Sequence, residues 1–189
     1  MKSTAPSYLK HHFLMAMPHM ADPNFAHKLI YLVEHGPEGA MGLVVNDPSG
    51  LSLADVLEQL RPDQASPALC QSLPVFSGGP VQTDRGFVLH PRDHSYQATL
   101  ALGELGMTTS QDVLFAIADG DGPQRYLIAL GYAGWDAGQL EAELAGNTWL
   151  SCPARLDILF ELPHDQRLKA AAASLGIDLT LLSSQAGHA

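Results

Sequence analysis

The sequence predicts a mixed α/β sandwich: one domain with a largely antiparallel sheet and helices packed on it. Three observations lead there. Strand-like runs of β-branched and aromatic residues are interleaved with amphipathic helical stretches. Two of those runs are separated only by turn formers, which is a hairpin signal. Both strands of that hairpin are apolar on both faces, as strands are when helices cover the sheet. Strict βαβ alternation is absent, so the sheet is mixed rather than doubly wound.

Taken in order, residues 1–8 read as a flexible terminus and 9–189 as the domain. Phe13 to Met17 alternates in its facing and is stopped by Pro18, which predicts a strand. Lys28 to His35 and Met41 to Asn46 are the hairpin strands, with Gly36-Pro37-Glu38-Gly39 between them. Asn46 to Gly50 breaks the pattern. Ser52 then caps a helix to about Leu60, with Asp55 in the capping-box position. A Pro- and Ala-rich loop leads to a short strand at Pro74 to Phe76, a tight turn at Ser77-Gly78-Gly79-Pro80, and strands at Gly86 to His90 and Ala98 to Leu102.

Thr109 or Ser110 is expected to cap a helix that stops at Asp119-Gly120. Gln124 to Leu130 predicts a strand, and Gly131-Tyr132-Ala133-Gly134 a strand-to-helix elbow. Asp136 and Gln139 form the capping box of the helix that follows. A strand over Asn147 to Cys152 and a short helix opened by Pro153 come next. A last helix follows Pro163 and closes at Gly176 in the C′ position. Apolar Ile177 to Leu182 is expected to pack back on the body.

The 189 residues are enough to bury about 70% of the surface that the unfolded chain exposes. Ten basic against twenty acidic residues give a formal net charge of -10. That charge opposes nucleic-acid binding, which depends on Lys and Arg displacing counterions. Two separated cysteines, Cys70 and Cys152, fit a reducing compartment, and whether they ever meet is open. No signal peptide or membrane span is legible, so a cytoplasmic protein is expected, monomeric or weakly oligomeric.

Chemistry-bearing patterns are sparse. Ser77-Gly78-Gly79-Pro80 resembles an anion cradle, yet no Lys and no helix start follow it. His12, Met15, Met17, His19 and Met20 would suit a soft metal, but Met15 and Met17 fit the core face of a strand. His35 and His90 end apolar strands and could approach each other. Cys152, before Pro153 at a helix start, could be activated by the helix dipole. There is no GxSxG, HExxH or CxxC, and no cofactor or metal is expected. The segment Gly131 to Trp135, with Trp149 further on, could line a shallow cleft with the Gly78-Gly79-Pro80 turn.

Five stretches, in order and spacing, resemble the AlgH/YqgE family of bacterial proteins. They are Phe13 to Phe25 (FLMAMPHMADPNF), Tyr31 to Pro48 (YLVEHGPEGAMGLVVNDP), Ser77 to His90 (SGGPVQTDRGFVLH), Leu130 to Leu150 (LGYAGWDAGQLEAELAGNTWL) and the C-terminal Leu175 to Ile177 with Ala186 to Ala189. The resemblance implies an α/β sandwich with no established catalysis and a proposed role in regulating genes, alginate genes among them. The family signature falls on Pro18, Asp22, Phe25, His35, Gly39, Gly42, Asn46, Gly78, Gly79, Pro80, His90, Gly131, Trp135 and Trp149. Asp47 stands where many relatives are basic, and Leu168 where many carry Trp.

The leading expectation is a non-catalytic regulatory or binding protein. Its contacts to a protein or small ligand would involve His35, Asn46, Gly78, Gly79, Pro80, His90, Gly131, Tyr132 and Trp135. The alternatives are an enzyme using His35, His90 or Cys152, and a direct DNA-binding regulator.

Overall fold

A computed structural model describes residues 8–18 and 22–181. Ten strands form one curled sheet: β1 (His12–Ala16), β2 (Leu29–Gly36), β3 (Gly39–Val44), β4 (Pro48–Ser52), β5 (Pro74–Ser77), β6 (Val81–Pro91), β7 (Thr99–Leu102), β8 (Leu105–Thr108), β9 (Leu127–Asp136) and β10 (Trp149–Pro153). Its main path runs β10-β1-β2-β3-β9-β6-β8-β7, with β5 lying parallel to β9 and β4 beside β5. All the other pairings are antiparallel. The helices are α1 (Leu53–Leu60), α2 (Asp112–Ala118), α3 (Gln139–Ala145), α4 (Leu156–Phe160) and α5 (His164–Ser174).

The two-faced apolar strands have a direct structural reason. On β2, Leu29, Tyr31 and Val33 face the core under α4 and α5, while Ile30 and Leu32 face a second core under α3. On β6, Phe87 and Leu89 face the first core and Val88 a third, beneath α1 and α2. Helices therefore cover both faces, as the apolar pattern of the strands demands. The hairpin closes through a two-residue turn, with Gly36 opposite Gly39.

Ser52 caps α1 as expected: its hydroxyl accepts from the Asp55 N–H, and the Asp55 carboxylate accepts from the Ser52 N–H. Gly176 adopts φ +73° just past α5, the left-handed conformation a helix stop needs. Ile177 and Leu179 do pack against the first core.

Several expectations need correction. Pro48 to Ser52 is an edge strand, because β5 offers it a free ladder. β8 gives no sequence signal of its own, being only four residues with a glycine inside. The N-cap of α2 is Gln111, without a side-chain cap bond; Ser110 instead hydrogen-bonds Asp112 and the Ala98 N–H. Gly138 is the N-cap of α3, and Gln139 merely accepts from the Asp136 N–H. The elbow at Gly131 is the largest correction. β9 continues through it to Asp136. Gly131, at φ +79°, kinks the strand without ending it.

That kink changes the phase of the strand. Before it, Leu127 and Ala129 face the first core and Ile128 the α1/α2 core. After it, Tyr132 faces the first core, while Ala133 and Trp135 face α3. One residue out of register moves the following side chains to the opposite faces.

The expected flexible terminus lies outside the described residues except for Tyr8, whose ring meets His35 edge-on. His19 and Met20 also lie outside them.

Candidate functional site

The Ser77-Gly78-Gly79-Pro80 turn and the Gly131 kink do meet. The Gly78 N–H donates to Leu130 O (2.7 Å), and Gly78 O accepts from the Val44 N–H (2.8 Å). Ser77 N–H donates to Asp47 O (2.7 Å). The turn thus stitches the end of β3 to the middle of β9. β6 then starts at Val81, opposite Tyr132, and rejoins β9 only at Gly86, opposite Leu130. Residues 82–85 bulge out against the single residue Gly131, and all four are exposed.

Beside this junction lies a cleft of ≈ 240 Å³. Gly79, Pro80 and Thr83 form one wall, and Val44, Asp47 and Ser77 another. Pro23, Asn24 and Lys28 complete it. Lys28 Nζ pairs with Asp47 Oδ2 at 3.1 Å, so Asp47 neutralises the one cation among the described residues that line the cleft. Polar lining of both charges on a glycine-built floor suits a small polar ligand.

The other expected site residues lie elsewhere. Asn46 adjoins the cleft but clasps the chain: Oδ1 accepts from the Leu29 N–H (2.9 Å) and Nδ2 donates to His27 O (3.1 Å). Gly78 and Gly131 supply backbone beneath the cleft, and Tyr132 packs edge-on against Phe87. Trp135 is 6% exposed and belongs to an aromatic cluster with Trp149 and Phe25, ring centroids 6.0 and 6.3 Å away. It is a core residue here because the Gly131 kink turns it toward α3.

His35 and His90 do not meet. The strand order puts β3 and β9 between their strands. His35 Nδ1 accepts from the Leu9 N–H (2.8 Å), and its Nε2–H donates to Glu141 Oε1 (2.5 Å). The Glu141 carboxyl is held below the usual value by its own backbone N–H and then by His35, against an opposing effect of burial. His90 bonds Pro91 O through Nδ1 (2.8 Å) and Thr108 Oγ1 through Nε2 (2.7 Å). Both rings have both nitrogens occupied.

The cysteines are 1% exposed each, in different cores, and free. Burial raises both thiol pKa values. Cys152 lies on β10 and not at a helix start, so no dipole activates it; Cys70, expected in a polar loop, is packed under α1. Among the described residues, no three His, Cys, Asp or Glu side chains gather as a metal site would require.

Sequence reasoning missed Lys28, Asn24, Ser77 and Thr83 as lining residues. Ser77 opens the glycine turn, Lys28, Asn24 and Thr83 carry no pattern of their own, and only the β3–β5–β9 junction brings the four together.

Comparison with known proteins follows the same outline. A family model described as AlgH-like (DUF179) matches residues 13–180. A UPF0301 protein of Stutzerimonas stutzeri is 81% identical, and the UPF0301 protein AlgH of Pseudomonas aeruginosa 69% identical, each over the whole of both chains. The solution structure of the P. aeruginosa AlgH protein superposes with a TM-score of 0.82 over 100% of both chains. A Corynebacterium diphtheriae crystal structure, 18% identical, has a TM-score of 0.71 over 97% of this chain and 94% of that one, a likeness of fold alone.

Proposed function

The chain belongs to the AlgH-like family, and from that premise we propose a regulatory protein that works by binding rather than by catalysis. The observation that carries this reading is the cleft at the Gly79–Tyr132 junction. Its lining combines the Lys28–Asp47 ion pair with the neutral polar side chains of Asn24, Ser77 and Thr83. Such a surface can hold a small polar ligand and report its presence through the β6 bulge, which borders the cleft at Thr83. The gene-regulatory role implied by the family resemblance would then act through a ligand or a protein contact. Direct DNA contact is disfavoured by the net charge of -10. A cytoplasmic setting belongs to the same proposal; no described helix is long and apolar enough to cross a membrane.

Amide chemical-shift mapping tests this reading. A panel of small zwitterions, dicarboxylates and nucleotides is titrated into the ¹⁵N-labelled protein. A binder should move Lys28, Asp47, Gly79 and Thr83 together, and Thr83→Trp should block it while the fold survives. A silent cleft across the panel, or shifts indifferent to Thr83→Trp, would remove the idea.

A further inference from the structure

The curled sheet does not close. Its path ends at β10 on one side and β7 on the other. The two ends nevertheless face each other across a cavity of ≈ 190 Å³. One wall is the β7–β8 turn, with Leu102, Gly103, Glu104 and Leu105. The other combines His11 and Tyr31 with Ala154 and Leu156, just past β10. Such an unclosed seam is a natural ligand site, like the mouth of a barrel.

Two polar groups, His11 and Tyr31, are set into one wall of this gap, and Glu104 lines the other among leucines. The Tyr31 ring is 1% exposed, and its hydroxyl lies 3.1 Å from His11 Nδ1. Burial pushes the phenol pKa up to about 12, so it stays protonated. Donating to Nδ1, it leaves the neutral imidazole with its proton on Nε2. Among the described residues Nε2 has no hydrogen-bond partner; the space opposite is left open by Gly103, whose added Cβ would stand 3.9 Å from that nitrogen. His11 itself adopts φ +66°, a left-handed backbone uncommon outside glycine. Its N–H donates to Leu32 O and its carbonyl accepts from the Ala154 N–H, so that conformation is fixed from both sides.

We propose that the seam binds a small monocarboxylate with an apolar body, the carboxylate received by His11 Nε2–H and the body by Leu102, Leu105 and Leu156. The volume of ≈ 190 Å³ suits a ligand of that size. Among the described residues the unpartnered ring nitrogen at this wall, Nε2–H, is a donor, so the ligand must present an acceptor. An anion is favoured over a neutral acceptor because His11 can take up a proton to meet it, Tyr31 then accepting at Nδ1. Arg92 Nη1 donates to Gly103 O at 3.0 Å, next to Glu104, the exposed carboxylate of the lining.

The charged groups around the ring set the free state. Burial, then Lys10, lowers the His11 pKa, Glu34 raises it and His12 lowers it further. Glu104 lines the gap from the β7–β8 side. A bound carboxylate reverses the balance and raises the pKa.

Benzoate is the probe, benzyl alcohol its neutral counterpart, and the His11 Cε1–H signal and the leucine methyl signals are the readout. Benzoate at about millimolar concentration should move His11 and the methyls of Leu102, Leu105 and Leu156, raise the His11 pKa, and bind about tenfold more tightly than the alcohol. Ala154→Leu should fill the seam and abolish binding. His11→Asn, which tolerates the left-handed backbone, should weaken it at least about tenfold with the fold intact. Benzoate shifts that ignore Ala154→Leu, or binding equal in His11→Asn and the parent, would overturn the proposal. So would the absence of any shift at His11.

Discussion

A β-carbon built on Gly79 would stand 2.1 Å from the carbonyl carbon of Tyr132. Gly79 also has φ +152°. Both facts reserve the position for glycine, because backbone, not a flexible side chain, occupies the space. Gly79→Ala should therefore cost about 4 kcal/mol or prevent folding. Gly120→Ala, at φ +80° with nothing within 4 Å, should cost only about 1 kcal/mol. Urea unfolding of the two variants separates steric clash from backbone strain.

Trp135 should behave as a core residue. Trp135→Ala should lower stability by about 3–5 kcal/mol. Trp135→Phe should cost less and leave the amide shifts of Lys28, Asp47 and Thr83 where they are. Loss of a ligand response in Trp135→Phe without loss of stability would return that residue to the binding surface.

The Glu141–His35 pair should tie stability to pH. A carboxyl whose folded pKa lies below its ordinary value of 4.5 favours the folded state above that value. Its contribution is lost as pH falls through the lower, folded pKa. In Glu141→Gln the decline of the thermal midpoint below about pH 4.5 should be shallower than in the parent. Identical pH profiles would show that the pair contributes nothing.

Neither thiol should react in the folded protein. Burial both shields Cys70 and Cys152 and raises their pKa values. A thiol reagent should find none in native buffer and two per chain in denaturant. Rapid native labelling at Cys152 would revive a nucleophilic role for it.

The α1 cap offers a local test. Ser52→Ala removes the hydroxyl that accepts from the Asp55 N–H, leaves the backbone half of the capping box in place, and should cost about 1 kcal/mol. Ser52→Asp should recover most of it.

Much of the fold was legible because its signals are local. The β2–β3 hairpin follows from two apolar runs around Pro37-Glu38, and the α1 cap from Ser52 and Asp55. Gly176 ends α5 wherever α5 packs. Gly131 signals a change of direction whose kind is not local. A left-handed glycine marks a change of direction in either a turn or a strand kink, and only the partner strands decide between them. β6 and β3 continue to pair with β9 past Gly131, so the chain stays a strand.

By itself, then, the sequence determined the alternation of elements, the covered sheet and the unfavourable charge for nucleic acid, since periodicity, capping and net charge are properties of neighbouring residues or of their sum. Tertiary structure alone decided that Trp135 faces inward, that His35 and His90 stay apart, and that Lys28 meets Asp47 beside Gly79. Those outcomes depend on strand order and on a one-residue change of phase in β9. Neither has a local energetic signature, because each is fixed by contacts between segments far apart in the chain.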